Sequence, residues 1–244
     1  LTVAQQHVRP EVLYQRRRQS PDRLNNSPRR TYDLLRSTLV MTGRNMRLVE
    51  HELTDALSAS RTTVRAVLQQ LAREGLVTRE PRNGTRPTGS LLLPIDELTP
   101  FETRALDYRA LGCPPIVRDR LRLPVGWTVL MIESLVLEDQ RPLGLAVSYI
   151  ALTEEQSSDV DIDEPDVIMI LEGQLGIRIG NSQTTVGAVA ADEQTAELIG
   201  VAPGAPLVWL EDVIEDENGQ PRALSQLRLR GDRVAFSATA HRSS

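Results

Sequence analysis

The chain has 244 residues, 40% hydrophobic and 25% charged, with a net charge of −5; this describes an ordinary folded globular protein, long enough for one large or two modest domains. No apolar run approaches the roughly 20 residues that span a bilayer, and the polar, basic amino terminus does not read as a secretory signal. One cysteine, Cys113 in a Gly-Cys-Pro-Pro turn, excludes an internal disulfide framework and fits a cytoplasmic home. All 28 basic residues are arginine, and they are unevenly placed: residues 1–90 hold 16 against 8 acidic residues, while residues 91–244 hold 12 against 25. Such a division suits a nucleic-acid-binding part joined to an acidic part with another task.

Residues 1–27 lack sustained periodicity and carry Arg16–Arg17–Arg18; they read as a mobile basic arm or a disordered tail. Ser27–Pro28 then opens a helix, Ser as N-cap and Pro at the first helical position. Tyr32, Leu35 and Leu39 share one face, and Gly43 ends it. A second helix spans Val49–Leu57 with Leu53, Ala56 and Leu57 inward, followed by a turn at Ser58–Ala59. Val64, Val67, Leu68 and Leu71 recur at helical spacing over Ser60–Glu74, with Ser60 as N-cap and Gly75 as stop. This places Arg61, Thr62, Thr63 and Arg65 outward at the leading end, a pattern suited to the DNA major groove. Leu76–Glu80 and Thr85–Thr88 pair around Pro81–Arg82–Asn83–Gly84, with Asn-Gly in hairpin position. Three helices and a two-stranded wing over 28–88 make a winged helix-turn-helix.

Residues 89–98 read as a linker. Beyond it, strands are expected at Thr103–Leu111, Trp127–Leu137, Pro142–Ile150, Ile177–Val189, Pro206–Ile214, Arg222–Arg230 and Val234–Ala240, and helices at Pro115–Leu121, Asp163–Glu172 and Asp192–Ile199. The fold class is therefore α+β: a winged helix-turn-helix followed, over 99–240, by a mainly antiparallel sheet with helices.

Two sets of residues carry a family resemblance. Ser60-Arg61-Thr62-Thr63-Val64-Arg65, Glu74-Gly75-Leu76-Val77 and Asn83-Gly84-Thr85 resemble the winged helix of GntR-type bacterial transcriptional regulators. Thr99-Pro100-Phe101, Leu123-Pro124-Val125-Gly126, Tyr149, Leu171-Glu172, Ala190-Ala191-Asp192, Gly204-Ala205-Pro206 and Arg230-Gly231-Asp232-Arg233 resemble the UTRA effector domain of their HutC branch, whose fold is that of chorismate lyase. The resemblance implies a homodimeric regulator, most simply a repressor, on a near-palindromic double-stranded DNA operator. It implies DNA contacts from Arg61, Thr62, Thr63 and Arg65, and from Arg82, Asn83 and Gly84 at the wing. Where the family has Leu-Pro-Ser-Glu-Arg, this chain has Arg47-Leu48-Val49-Glu50-His51, so His51 replaces a DNA-contacting arginine and is either a phosphate contact or an ordinary surface residue.

Phosphosugar-sensing relatives line the effector pocket with arginines, acids, a serine and a tyrosine. Ungapped matching puts Ser134, Val136, Ala146, Asp166, Ala223 and Leu229 there. A desolvated dianion needs cations or many donors, so the expected small-molecule effector is less polar than a sugar phosphate, or the pocket has lost its ligand. His7, His241 and Cys113 lack metal-ligand spacing, and Asp161-Ile162-Asp163-Glu164 lacks a calcium-loop pattern, so neither metal nor cofactor is expected. Trp127 and Trp209 read as strand residues that pack the core. Glu133 and Asp212 are strand residues open to arginine pairing, with nothing to mark a catalytic couple. Two alternatives stand beside the ligand-responsive regulator: a constitutive dimeric DNA binder, and a chorismate-lyase-like enzyme, for which fold analogy is the only warrant.

Overall fold

The computed structural model describes residues 27–42, 46–80, 84–153, 156 and 165–240. The basic arm, His7, Gly43, Arg82, Asn83, the acidic run at 161–164 and His241 lie outside the described residues. The chain divides into two compact units. One runs up to Leu93 and takes back Asp232–Ser237; the other is Pro94–Gly231 with the residues from Ala238.

In the first unit, α1 (Pro28–Thr42), α2 (Glu50–Leu57) and α3 (Arg61–Arg73) precede strands β1 (Val77–Glu80) and β2 (Gly84–Pro87). The apolar stripe of each helix turns inward: Leu35, Leu53, Val64, Leu68 and Leu71 are fully buried in one cluster with Leu39 and Val67. Burying each leucine contributes about 1.5–3 kcal/mol. Ala56 is exposed, so the inward face of α2 is narrower than its sequence suggests and rests on Leu53 and half-buried Leu57. Gly75 stops α3 with a φ of 77°, a left-handed conformation that glycine adopts without cost. β1 and β2 pair antiparallel from Val77↔Pro87 to Glu80↔Gly84. The Leu48 N–H donates to the Thr85 carbonyl at 2.8 Å, which ties the wing to the start of α2.

The segment expected to be a linker contains a strand, β3 (Leu91–Pro94), whose neighbour is the last strand of the chain, β10 (Val234–Ser237). The Leu91 N–H donates to the Arg233 carbonyl at 2.6 Å. The terminal strand is thus shorter than expected and pairs with β3, outside the large sheet.

The second unit is built on a six-stranded antiparallel sheet in the order β4-β5-β6-β9-β8-β7, comprising β4 (Glu102–Gly112), β5 (Thr128–Glu138), β6 (Arg141–Ala151), β7 (Ile179–Ala190), β8 (Pro206–Asp216) and β9 (Pro221–Arg230). Helices α4 (Pro115–Leu121) and α5 (Glu193–Ile199) cover one face. α4 packs through Val117 and Leu121 on Val129, Val213 and Leu224; α5 packs through Ala196 and Ile199 on Leu135, Leu145 and Leu207. Asp192 caps α5, accepting the Thr195 N–H at 2.7 Å, and Gly200 ends it at a φ of 68°. Trp127 lies just before β5 and packs beside α4, whereas Trp209, within β8, lies over Gly187 of β7. The opposite face is roofed at one end by a wide helical turn, Met169–Gln174, in which Ile170 and Leu171 are fully buried against Leu130, Ile132, Ile150, Ile214 and Ala223. That segment was expected to be an ordinary α-helix; its described part tightens only at Val167–Ile168 and then widens.

Candidate functional site

The leading end of α3 is shaped by its cap. Ser60 is extended (φ −68°, ψ 154°), and its hydroxyl accepts the Thr63 N–H at 3.1 Å. Thr63 also turns its own hydroxyl back to Ser60, 2.9 Å away, and is 8% exposed. The sequence expectation that Thr63 faces outward is therefore corrected: its oxygen completes the cap. Arg61, Thr62 and Arg65 remain exposed. No acidic residue occupies the first turn, so the free N–H groups and partial positive charge of the helix end stay uncompensated, a setting that favours an anion such as phosphate.

Arg65 is braced from the preceding helix. Its Nε donates to Glu50 at 2.7 Å, and the other carboxylate oxygen of Glu50 holds Arg79 of β1 at 3.2 Å. Only Nε of Arg65 is engaged among the described residues, so both terminal nitrogens still face solvent with their donors available. Glu50 was not among the expected site residues. It sits 15 positions from Arg65 and its role depends on how α2 crosses α3; the one available signal was that it is the single acid in Arg47–His51. His51, its neighbour, is exposed. Gly84 opens β2 at a φ of 82°, and a Cβ there would lie 3.2 Å from Arg47 Nε, so glycine lets the wing strand and the Arg47 side chain approach closely.

In the second unit, strand register brings the matched effector positions onto the sheet face away from α4 and α5. Ser134 pairs with Ala146, and Val136 with Gly144, which pairs in turn with Leu229. Ala223 pairs with Ile150 and lies in the cluster under the helical turn. Six residues of extended strand, about 20 Å, separate Ala223 from Leu229, so Ala223 belongs to the roofed core and the other strand positions to the far end. All six matched residues are buried. Asp166 is a latch at the roof. Its carboxylate accepts the Phe101 N–H at 3.1 Å, and its other oxygen accepts those of Ile168 and Met169 at 2.9 and 3.1 Å. Burial pushes the Asp166 carboxyl above the ordinary aspartate value, against the lowering effect of these three donors.

Sequence reading missed a polar row on this same face. Thr184 of β7, Asp212 of β8, Ser225 of β9 and Ser148 of β6 are successive register partners. The buried hydroxyls of Ser148 and Ser225 are 2.8 Å apart, and Asp212 Oδ1 accepts from Thr184 and, at 3.4 Å, from Ser182. Asp212 was expected to be open to arginine pairing; it takes hydroxyl donors instead, and no ion pair reaches it among the described residues. Burial raises its carboxyl above the ordinary value. On the opposite face, Arg120 pairs with Glu211 at 2.6 Å. Glu133 makes no ion pair among the described residues. Among the described residues, no three His, Cys, Asp or Glu side chains converge as a metal site would require, and no helix is long and apolar enough to cross a membrane.

Comparison with known proteins agrees with this two-part arrangement. Residues 100–235 match the UTRA domain, and residues 29–86 match the gntR family of bacterial regulatory proteins. An HTH-type transcriptional regulator of Mycobacterium tuberculosis is 26% identical over 210 residues, covering 79% of this chain and 77% of that protein. The HTH-type transcriptional repressor PhnF of Mycolicibacterium smegmatis is 21% identical over 202 residues, 79% of this chain and 83% of its own. The crystal structure of PhnF superposes with a TM-score of 0.60 over 87% of this chain and all of that one, at 21% identity, and so shares the fold. The chain belongs to the gntR family of bacterial regulatory proteins, in its UTRA-bearing branch, and is a DNA-binding transcriptional regulator whose second domain is an effector domain.

Proposed function

We propose that the protein is a homodimeric repressor of the HutC branch, bound to a near-palindromic operator and released or retained by a small molecule on the second unit's sheet face. One observation carries the DNA reading: an acid-free helix N-terminus presents Arg61, Thr62 and a braced Arg65. Arg65 and Arg61 reach guanine edges or phosphates in the major groove. Arg82, Asn83 and Gly84 approach the minor groove from the wing, while His51, exposed beside Glu50, is placed to meet phosphate. Thr63 shapes the helix end rather than touching DNA.

The effector reading rests on Ser134, Val136, Ala146 and Leu229 sharing one buried, weakly polar face, with Asp166 latching its roof. That chemistry suits an effector less polar than a sugar phosphate, and it offers no cations for the two carboxylates of a chorismate-lyase substrate. A ligand shifts operator affinity only as far as it discriminates between the two states of the dimer. A second reading, constitutive DNA binding, draws on the same residues, since all six matched positions are buried. Genome-wide footprinting in a cytoplasmic extract, followed by operator titration with metabolites of the regulated genes, tests both. Near-palindromic sites with ligand-dependent affinity support the switch; ligand-independent occupancy supports the constitutive binder; absence of discrete sites overturns the repressor.

A further inference from the structure

The carboxylate within the polar row has one oxygen to spare. Both hydroxyls that reach Asp212, from Ser182 and Thr184, land on Oδ1; Oδ2 accepts no hydrogen bond among the described residues. Asp212 is half-buried, and the buried serines beside it in register spend hydroxyl capacity on each other. One register step further, β7 presents Val186, 44% exposed, opposite buried Leu210 of β8, with half-buried Val208 beyond. Same-face neighbours along a strand lie about 7 Å apart, so a carboxylate acceptor and an open apolar surface are separated by the length of a phenyl ring or short alkyl chain. Toward the other end, Ile214 and Ala223 close the face under Ile170 and Leu171, leaving the Val186 side open.

We propose that this stretch of the sheet binds an amphipathic organic amine, its ammonium donating to Asp212 Oδ2 and its apolar body lying over Val186 and Leu210. The assignment rests on reading this sheet face as the effector face, and it names the effector class. A half-desolvated carboxylate without a cation favours a ligand that brings positive charge and N–H donors, and it repels a phosphate dianion. A lone carboxylate with two hydroxyls falls short of the six to eight oxygens that hold calcium, which argues against a metal ion. Burial first, and then the nearby Glu211 carboxylate, raise the Asp212 carboxyl above the ordinary value.

The test uses the full chain and four probes: phenethylamine, cyclohexylamine, 2-phenylethanol as a neutral isostere, and glucose 6-phosphate. Thermal shift and titration calorimetry are run at neutral pH. At least one amine should bind about tenfold more tightly than 2-phenylethanol, the scale of one charge-assisted hydrogen bond, and glucose 6-phosphate should not bind. Asp212→Asn, which keeps the shape and an acceptor oxygen, should erase the amine's advantage. Val186→Ser, on the exposed edge strand, should weaken the amine and the alcohol alike and serves if Asp212→Asn does not fold. Equal binding of amine and alcohol, full retention in either folded variant, binding of the sugar phosphate, or no shift with either amine overturns the proposal. If an amine binds through Asp212 yet leaves operator affinity unmoved, the effector reading fails and the amine site stands. If operator affinity responds to a neutral or anionic compound independently of Asp212, the reverse holds.

Discussion

Arg65→Ala tests the proposed DNA contact of α3 separately from its folding. Arg65 is 63% exposed along its side chain, and its one partner among the described residues is Glu50, 31% exposed. A surface pair of this kind contributes about 0.2–1 kcal/mol, and alanine is at least as good a helix former, so the winged unit should lose no more than about 1 kcal/mol. The two terminal nitrogens, free of protein partners among the described residues, are the groups available to DNA. Losing a bidentate base contact costs about 1–3 kcal/mol, or roughly 5- to 150-fold in operator affinity. Fluorescence anisotropy with an operator duplex at fixed salt, beside urea denaturation of the same preparations, measures both quantities. A base contact predicts lost affinity for the operator with little change on random DNA. A phosphate contact predicts uniform weakening and a salt slope smaller by about 1. Operator affinity equal to the parent's, in a variant that folds, would refute the argument that the braced guanidinium is presented to DNA.

Two further outcomes test the framework that holds the sites. Ser60→Ala removes the acceptor for the Thr63 N–H and leaves the inward-turned Thr63 hydroxyl without its partner; urea denaturation should show a loss of about 1 kcal/mol, and undiminished stability would mean the cap is idle. Asp216 is held below the ordinary aspartate range by the Gln220 N–H first, then Arg222 and the Asn218 N–H, against an opposing effect of burial. A lowered folded pKa stabilises above the unfolded value of about 4 and loses that stabilisation as pH falls through the folded one. Asp216→Asn should therefore cost about 2–3 kcal/mol at neutral pH, with the deficit shrinking below about pH 4; a deficit that is constant from pH 7 to pH 3 would show that ionisation plays no part.

Local signals were the most legible. Ser60 and Gly75 sit where a cap and a stop were expected because each acts within one turn of chain. Pro115–Leu121 forms over the expected residues for the same reason. The turn between β5 and β6 was legible as a turn, though it places Asp139 and Gln140 at φ of 50° and 63° without glycine. What escaped depends on partners far away in sequence. The period-2 pattern put Asp212 on a strand but could not say that Thr184 would meet it across β7 and β8. It made Val234–Ser237 a strand but not the neighbour of β3. Thr63 looked like a surface residue because a helical wheel has no term for a side chain folding back onto its own cap.

The pairing of β3 with β10 means that the DNA-binding unit is not a contiguous stretch of chain. A truncation after Gly231 lies far beyond the winged helix in sequence, yet it removes Asp232, whose Oδ2 lies 3.1 Å from where a Gly75 Cβ would stand, and all of β10. Carboxy-terminal deletions are therefore lesions in the DNA-binding half. The chain also passes from Leu229 of β9, in the second unit, to Asp232, in the first, within three residues. A second covalent route between the two units therefore leads from the end of β9 into β10, in addition to the segment that first joins the domains.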